Sequence, residues 1–288
     1  MCYNFCMDAF LLEFFNRIRC DALTVFFGFF SFLGEGIPLV VGVLLCFWLT
    51  KPQTGERIAV VALTSLPLNT WLKVAVARPR PYVAETVPLL PVDNAFLSTT
   101  DLGSHVSFPS GHSQSVASFL SALSLRVKRV WVWIVCMLVT LLVMISRLYF
   151  GVHYPTDVIA GFLIGFFVAL FWTVVYQKAY GARYYMLCAF AIASLIPLFF
   201  TQPHDCLQSV GLICGLAVFL PIANRVAPPL SSFPKRLLRI PVGALAAGAV
   251  FLVSLLFPEG DAFRLLSYFL LTGGATAGAQ ALFRLFRI

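Results

Sequence analysis

Three polar clusters interrupt an apolar sequence, and each carries residue types that chemistry on an anion requires. The first is Lys73-Val-Ala-Val-Ala-Arg78-Pro79-Arg80-Pro81. Lys73 and Arg80 stand seven positions apart, about two turns of a helix, so both cations can face one way. Pro79 and Pro81 end such a helix, which leaves the alignment approximate. Taken alone, two cations at the end of an apolar run also suit anchorage to lipid headgroups by snorkelling. The second cluster is Phe108-Pro109-Ser110-Gly111-His112. Ser110 is a good N-cap, Gly111 lets a ligand approach the backbone, and the free N–H groups of a helix start form an anion site. His112 then stands in the first turn; the bland alternative is an ordinary cap followed by a surface histidine. The third is Ser146-Arg147-Leu-Tyr-Phe-Gly-Val-His153-Tyr-Pro-Thr-Asp157. Arg147 sits at a helix end, Gly151 permits a tight turn, and Pro155 suits the first turn of the next helix. Asp157, four residues after His153, can accept a hydrogen bond from one imidazole nitrogen and leave the other with its lone pair presented. Such a pair can equally be structural. Together the clusters offer Lys73, Arg80 and Arg147 as three cations, a helix-start anion nest, two histidines and one orienting carboxylate. Phosphoryl transfer needs that set: charge clamps on the phosphate oxygens, a nucleophile, and an acid for the leaving group.

These residues resemble the signature of the type-2 phosphatidic acid phosphatase superfamily: K-x6-R-P, then P-S-G-H, then S-R-x5-H-x3-D. The matching residues are Lys73…Arg80-Pro81, Pro109-Ser110-Gly111-His112 and Ser146-Arg147…His153…Asp157. Arg78-Pro79 also reads R-P, but only Arg80 has the family's spacing from Lys73. The resemblance covers Lys73–Asp157 by motif and the first five spans by pattern; nothing after Tyr180 carries a signature. It implies that His153 attacks phosphorus and becomes phosphohistidine while Asp157 orients it. His112 would protonate the leaving alkoxide and later help activate water. Lys73, Arg80, Ser110, the Gly111 N–H and Arg147 would hold the phosphate oxygens, and Ser146 would have a local structural role. The resemblance implies a metal-independent reaction with no cofactor, and no Asp/Glu cluster suited to Mg²⁺ is visible in the sequence.

The elements that position these clusters follow from composition. Of the 288 residues, 60% are hydrophobic and 11% charged, where a soluble domain carries about 25% charged residues. In hydrocarbon every backbone polar group needs an internal partner, so the expected fold is an all-α, multi-pass transmembrane helical bundle. Runs long enough to span cover Ala22–Thr50, Ile58–Ala77, Ser110–Leu125, Val130–Ile145, Asp157–Tyr176, Tyr185–Phe200, Leu207–Ala223, Ile240–Phe257 and Phe263–Leu285, about nine spans. The first is long and is interrupted by Gly34-Glu35-Gly36-Ile37-Pro38. Met7–Ile18, with Phe10, Leu11, Phe14 and Phe15 on one side, reads as an interfacial helix. The division expected is a catalytic core over residues 1–180, with the N-terminal helix, and additional transmembrane helices over residues 181–288. The resemblance implies six helices in that core.

The formal net charge of +8 does not indicate nucleic acid, because the basic residues lie between apolar runs and form no stripe. Most of them collect on one set of loops, among them Arg126, Lys128, Arg129, Lys235, Arg236 and Arg239. That set is expected to be cytoplasmic, which puts the three clusters on the extracytoplasmic side of the cell membrane with the N-terminus outside. The eight cysteines show no metal-site spacing; Cys2, Cys6, Cys20 and Cys206 are expected near the outer surface. No cleavable signal peptide is evident. The stretch Arg78–Pro109, with Leu89, Leu90, Phe96 and Leu102, reads as a cover beside the site. His105 reads as a solvated loop residue and His204 as a turn residue. Glu35 stands near a span's interior, where an acid is costly; it either pairs with a cation of the site or a polar headgroup, or lies at the water boundary. Gly274-Ala-Thr-Ala-Gly278 suits close helix packing.

The leading expectation is therefore an enzyme hydrolysing a lipid phosphomonoester or pyrophosphate: phosphatidate, phosphatidylglycerol phosphate, a polyprenyl pyrophosphate or a sphingoid phosphate. The alternatives are hydrolysis of a water-soluble sugar phosphate, as in glucose-6-phosphatase, and a non-catalytic lipid-phosphate binding or transport protein. Intact His112, His153 and Asp157 argue against the last.

Overall fold

Apolar runs of these lengths satisfy their backbones internally, and the chain is accordingly helical. The computed structural model describes residues 2–90, 93–94, 97–98, 105–200, 204–229 and 231–288. Phe96 and Leu102 of the expected cover lie outside the described residues, as do the side chains of Cys2, Cys6 and His204. The helices are α1 (Cys2–Arg17), α2 (Asp21–Leu33), α3 (Gly36–Leu49), α4 (Pro52–Val76), α5 (Gly111–Val127), α6 (Val130–Tyr149), α7 (Pro155–Lys178), α8 (Arg183–Ala193), α9 (His204–Val226), α10 (Phe233–Leu237), α11 (Arg239–Ser254), α12 (Asp261–Gly273) and α13 (Ala279–Leu285). A π-helical turn, Gly274–Gly278, joins the last two. Strand pairing among the described residues is confined to Asp93–Asn94 against Leu97–Ser98 and a single bridge between Pro79 and Val106.

Six stretches of described helix are long and apolar enough to cross a membrane, or seven if the bent pair α2 and α3 is one span. The chain is an integral membrane protein with an all-α fold. The sequence expectation of about nine spans also counted α5 and the α12–α13 stretch. α5 has 17 residues, and the π turn divides the other.

The chain divides into two units, one formed by Met1–Leu39 and Trp71–Leu170, the other by Val40–Thr70 and Phe171–Ile288. In the first unit, α1 presents Leu12 to Val87, Leu148, Tyr154 and Val158. Phe27 packs with Tyr149, Phe150 and Val152, and Leu89 and Leu90 of the long connection rest on that cluster. The approach of α5 to α7 is set by two glycines one turn apart. A Cβ on Gly161 would stand 2.6 Å from the Ser110 carbonyl oxygen, and one on Gly165 would stand 2.4 Å from that of Gln114.

That crowding makes a stability prediction. Gly165→Ala forces backbone apart and should destabilise the protein by about 1–3 kcal/mol, read as a fall of several degrees in the unfolding midpoint in detergent. Gly248→Ala, where an added Cβ meets nothing within 4 Å, should leave the midpoint unchanged or raise it, because alanine is the better helix former. Equal midpoints for the two variants would remove the packing argument.

In the second unit, Gly211 and Gly215 of α9 face α12, where an added Cβ would meet the Leu265 and Phe269 carbonyl oxygens at 2.7 and 2.6 Å. Glu56, 1% exposed, accepts hydrogen bonds from Tyr176 Oη at 2.7 Å, Arg183 Nε at 2.7 Å and Asn224 Nδ2 at 2.8 Å. The buried charge is thereby satisfied on both oxygens. The Gly274-x3-Gly278 pattern is half used: a Cβ on Gly274 would meet Val250 at 2.5 Å, whereas the nearest atom to one on Gly278 is 3.6 Å away. Trp48 Nε1 donates to the Ala275 carbonyl at 2.8 Å, within the π turn. Cys20 and Cys206 are free thiols, and Cys206 is buried, where the sequence suggested a position near the outer surface.

Candidate active site

All three clusters fall in the first unit. α4 ends at Val76, and Ala77 takes a left-handed φ of 47°. Arg80 is therefore off the helix that carries Lys73, and the two-turn alignment read from the sequence does not form. The chain folds back instead: Arg80 N–H donates to the His105 carbonyl at 3.0 Å and Ser107 N–H to the Arg78 carbonyl at 2.8 Å. This pairing buries the Arg80 side chain, whose Nη1 reaches the Val152 carbonyl at 3.4 Å. The side chain of His105 is exposed.

Ser110 is the N-cap of α5 and takes Ser113 N–H on its own hydroxyl. Its backbone N–H donates to the Asp157 carbonyl at 3.1 Å. The start of α5 is thus tied directly to the start of α7, with Gly161 giving the clearance. Gly111 and His112 follow in the first turn, and His112 Nε2 lies 2.9 Å from Glu35 Oε1. Glu35 thus pairs with a histidine of the site, while its side chain is still 40% exposed.

Between α6 and α7 the chain turns at Gly151, whose φ of 71° favours glycine. Val152 N–H donates to the Arg147 carbonyl at 3.2 Å, folding His153 back toward the end of α6. Arg147 is buried and donates to the Ser31 hydroxyl. Ser146 donates to the Val143 carbonyl at 2.7 Å, a local contact. His153 is 2% exposed and Asp157 0%. His153 Nδ1 stands 3.6 Å from Asp157 Oδ2, an approach longer than a hydrogen bond. Asp157 is held from other directions. Its Oδ2 accepts Tyr154 N–H at 2.9 Å, and its Oδ1 accepts Arg78 Nη1 at 3.0 Å.

Burial, and then the positive charges of Arg80, Arg147 and Lys73, hold the His153 imidazole well below its ordinary pKa. Burial and the cations that would meet an anion together favour the neutral ring, whose lone pair a nucleophile needs. Lys73, Arg80, His112 and Arg147 bear electrostatically on His153, Asp157 flanks it, and the Ser110–Gly111 turn is tied to the Asp157 backbone. The structure brings the sequence-predicted residues together. Among the described residues, no group of three or more His, Cys, Asp or Glu side chains is placed to hold a metal ion.

Two contributors were missed in the sequence. Arg78, set aside there for its spacing, donates to Asp157, to Thr156 Oγ1 at 2.6 Å and to Asp8 Oδ2 at 3.1 Å, and lies 3.7 Å over the Tyr154 ring. Asp8 belongs to α1, so the N-terminal helix reaches the group that holds Asp157. The second is the Gly161-x3-Gly165 pair. Its small-xxx-small spacing was the available signal.

Residues 56–180 match the PAP2 superfamily. Over 167 residues the chain is 30% identical to an undecaprenyl-diphosphatase of Sulfolobus acidocaldarius, covering 56% of this chain and 76% of that protein. It is 32% identical over 139 residues to phosphatidylglycerophosphatase B of Bacillus subtilis, covering 45% of this chain and 62% of that one. The structure is similar to the crystal structure of a transmembrane PAP2-type phosphatidylglycerolphosphate phosphatase from Bacillus subtilis, with a TM-score of 0.50 and 27% identity over 60% of this chain and 86% of the other. The motif spacing, the helical fold and these likenesses agree: this chain belongs to the PAP2 superfamily and is a membrane phosphatase.

Proposed function

We propose that this phosphatase hydrolyses a lipid phosphomonoester or lipid pyrophosphate through a phosphohistidine on His153, at the extracytoplasmic face of the cell membrane. The observation that carries the reading is the buried His153 under the charges of Lys73, Arg80 and Arg147, with Asp157 beside it. His153 attacks phosphorus as the ester P–O bond breaks. His112 gives its proton to the departing oxygen, then takes one from the water that releases phosphate. Lys73, Arg80, Arg147, Ser110 and the Gly111 N–H carry the charge that grows on the phosphate oxygens, so the stabilisation comes from fixed groups of the chain. Asp157 orients the nucleophile. The catalytic core is assigned to residues 1–180, with residues 181–288 as additional transmembrane helices. A lipid substrate is supported by the site's setting in an integral membrane chain and by the names of its relatives, which act on undecaprenyl diphosphate and phosphatidylglycerophosphate.

Phosphate release in detergent micelles tests this, comparing phosphatidate and a polyprenyl pyrophosphate with glucose 6-phosphate, each with and without EDTA. The lipids should be the preferred substrates, and the rate should persist in EDTA. Preference for the sugar phosphate would overturn the substrate class. A loss in EDTA that Mg²⁺ restores would overturn the metal-free cage.

A further inference from the structure

Three residues at the break between α2 and α3 reach the site from outside the signature motifs. The break is a tight turn: Gly34 N–H donates to the Ser31 carbonyl and Glu35 N–H to that of Phe32, both at 2.9 Å. Ser31 is fully buried, and its hydroxyl accepts from Arg147. Gly34 lies flat against His112, where an added Cβ would stand 2.9 Å from the ring Cδ2 and 3.0 Å from the histidine Cβ. Glu35 then places Oε1 at 2.9 Å from His112 Nε2. A carboxylate inside an apolar run is costly unless it is paired, and here it is paired with a ring the proposed reaction uses.

We propose that Glu35 is a positioning residue for His112. It engages Nε2 and leaves Nδ1 as the nitrogen that delivers a proton to the leaving oxygen. The inference rests on the reading of His112 as the acid. In that step the bond from His153 nitrogen to phosphorus forms and the ester P–O bond breaks. The electron pair of the broken bond stays on the ester oxygen, and the His112 proton moves there. Arg147 and Arg80 also face His112, and so does His153. Burial first, and then the two arginines, hold the His112 imidazole below its ordinary pKa, and the Glu35 carboxylate is the group that works against them and favours the proton. Glu35 has no part in holding the phosphate, which its charge repels. Its effect should appear where the leaving group needs a proton.

The test measures kcat/KM of Glu35→Gln and Glu35→Ala on a short-chain phosphatidate, an alkyl ester with a basic leaving oxygen, and on 4-nitrophenyl phosphate, whose leaving group departs without an acid. His112→Ala is measured beside them. A general acid typically contributes about 10²–10⁴-fold, so the Glu35 variants should lose on the order of 10²-fold on the alkyl ester. That loss should exceed their loss on the aryl ester by at least about tenfold. Equal losses on the two esters mark a merely structural role and overturn the proposal, as do wild-type rates on both. If His112→Ala discriminates between the esters and the Glu35 variants do not, the positioning role fails and the acid assignment stands. If His112→Ala itself does not discriminate, the acid assignment fails and Glu35 falls with it. Glu35→Gln keeps the side-chain shape at a half-exposed turn, so its unfolding midpoint should match the wild type and separate chemistry from folding.

Discussion

His153→Ala leaves a folded protein with kcat lower by on the order of 10⁴–10⁶, the loss expected when a nucleophile is removed and binding groups stay. The ring occupies a site closed to solvent, and Asp157 keeps its bonds from Arg78 and Tyr154 without it, so the scaffold does not depend on the imidazole. Rapid quench of the wild type with a labelled lipid phosphate should trap an acid-labile, alkali-stable phosphoenzyme that the variant lacks. Wild-type turnover in the variant would refute the nucleophile. The same residue sets a pH signature. Its pKa in the folded chain is depressed by burial and by Arg80, Arg147 and Lys73, whereas an unfolded histidine titrates near ~6.5. As pH falls through that value the unfolded chain takes up the proton and the folded site does not. This group's contribution to stability is therefore present above about pH 6.5 and declines below it. Any limb of kcat/KM due to His153 should therefore lie well below the ordinary histidine value. A limb at the ordinary histidine value, removed by substituting His153, would contradict the depressed pKa.

That chemistry was legible in the sequence because it depends on residue type and spacing. Ser110 before Gly111 and His112 reads as a helix start on local propensity alone, and α5 begins at Gly111. The four-residue step from His153 to Asp157 survives as a real approach because Pro155 opens α7 between them. Apolar runs gave the helices for the same reason, since hydrocarbon allows few other folds. What the sequence could not express was contact between distant segments. The family spacing drew attention to Arg80 and away from Arg78, yet Arg78 bridges Asp8 and Asp157 across 149 positions of chain. Extrapolating a helix through Lys73 and Arg80 failed because the chain leaves the helix at Ala77, in a backbone conformation uncommon for alanine. The glycines at 161 and 165 looked like ordinary members of an apolar run, since the carbonyls they admit belong to α5. Glu35 was recognisable as costly, but its partner was visible only in three dimensions.

Asp157→Asn should lower kcat by about 10³–10⁴ while changing KM little, a loss of the size seen when the orienting acid of a histidine nucleophile–base system is neutralised. The carboxylate is fully buried and does two things that an amide cannot do together. Oδ1 accepts from the Arg78 guanidinium and Oδ2 from Tyr154 N–H, so every neighbour points a donor at it. An asparagine must turn its NH₂ toward one of those donors, and either orientation breaks a bond and leaves a buried group unpaired. The substitution also removes the negative charge 3.6 Å from His153 Nδ1, a distance that can close to a hydrogen bond once substrate is bound. Without that charge, the positive ring that develops as nitrogen bonds to phosphorus loses the carboxylate that faces it, among the charges of Lys73, Arg80 and Arg147. Asp157 does not hold the phosphate, which is why the loss belongs in kcat. A fall shared equally by kcat and 1/KM would instead point to a distorted cage. A folded Asp157→Asn variant within tenfold of the wild-type kcat would mean that Arg78 and the backbone alone orient His153, and that the carboxylate serves only to balance the arginine's charge.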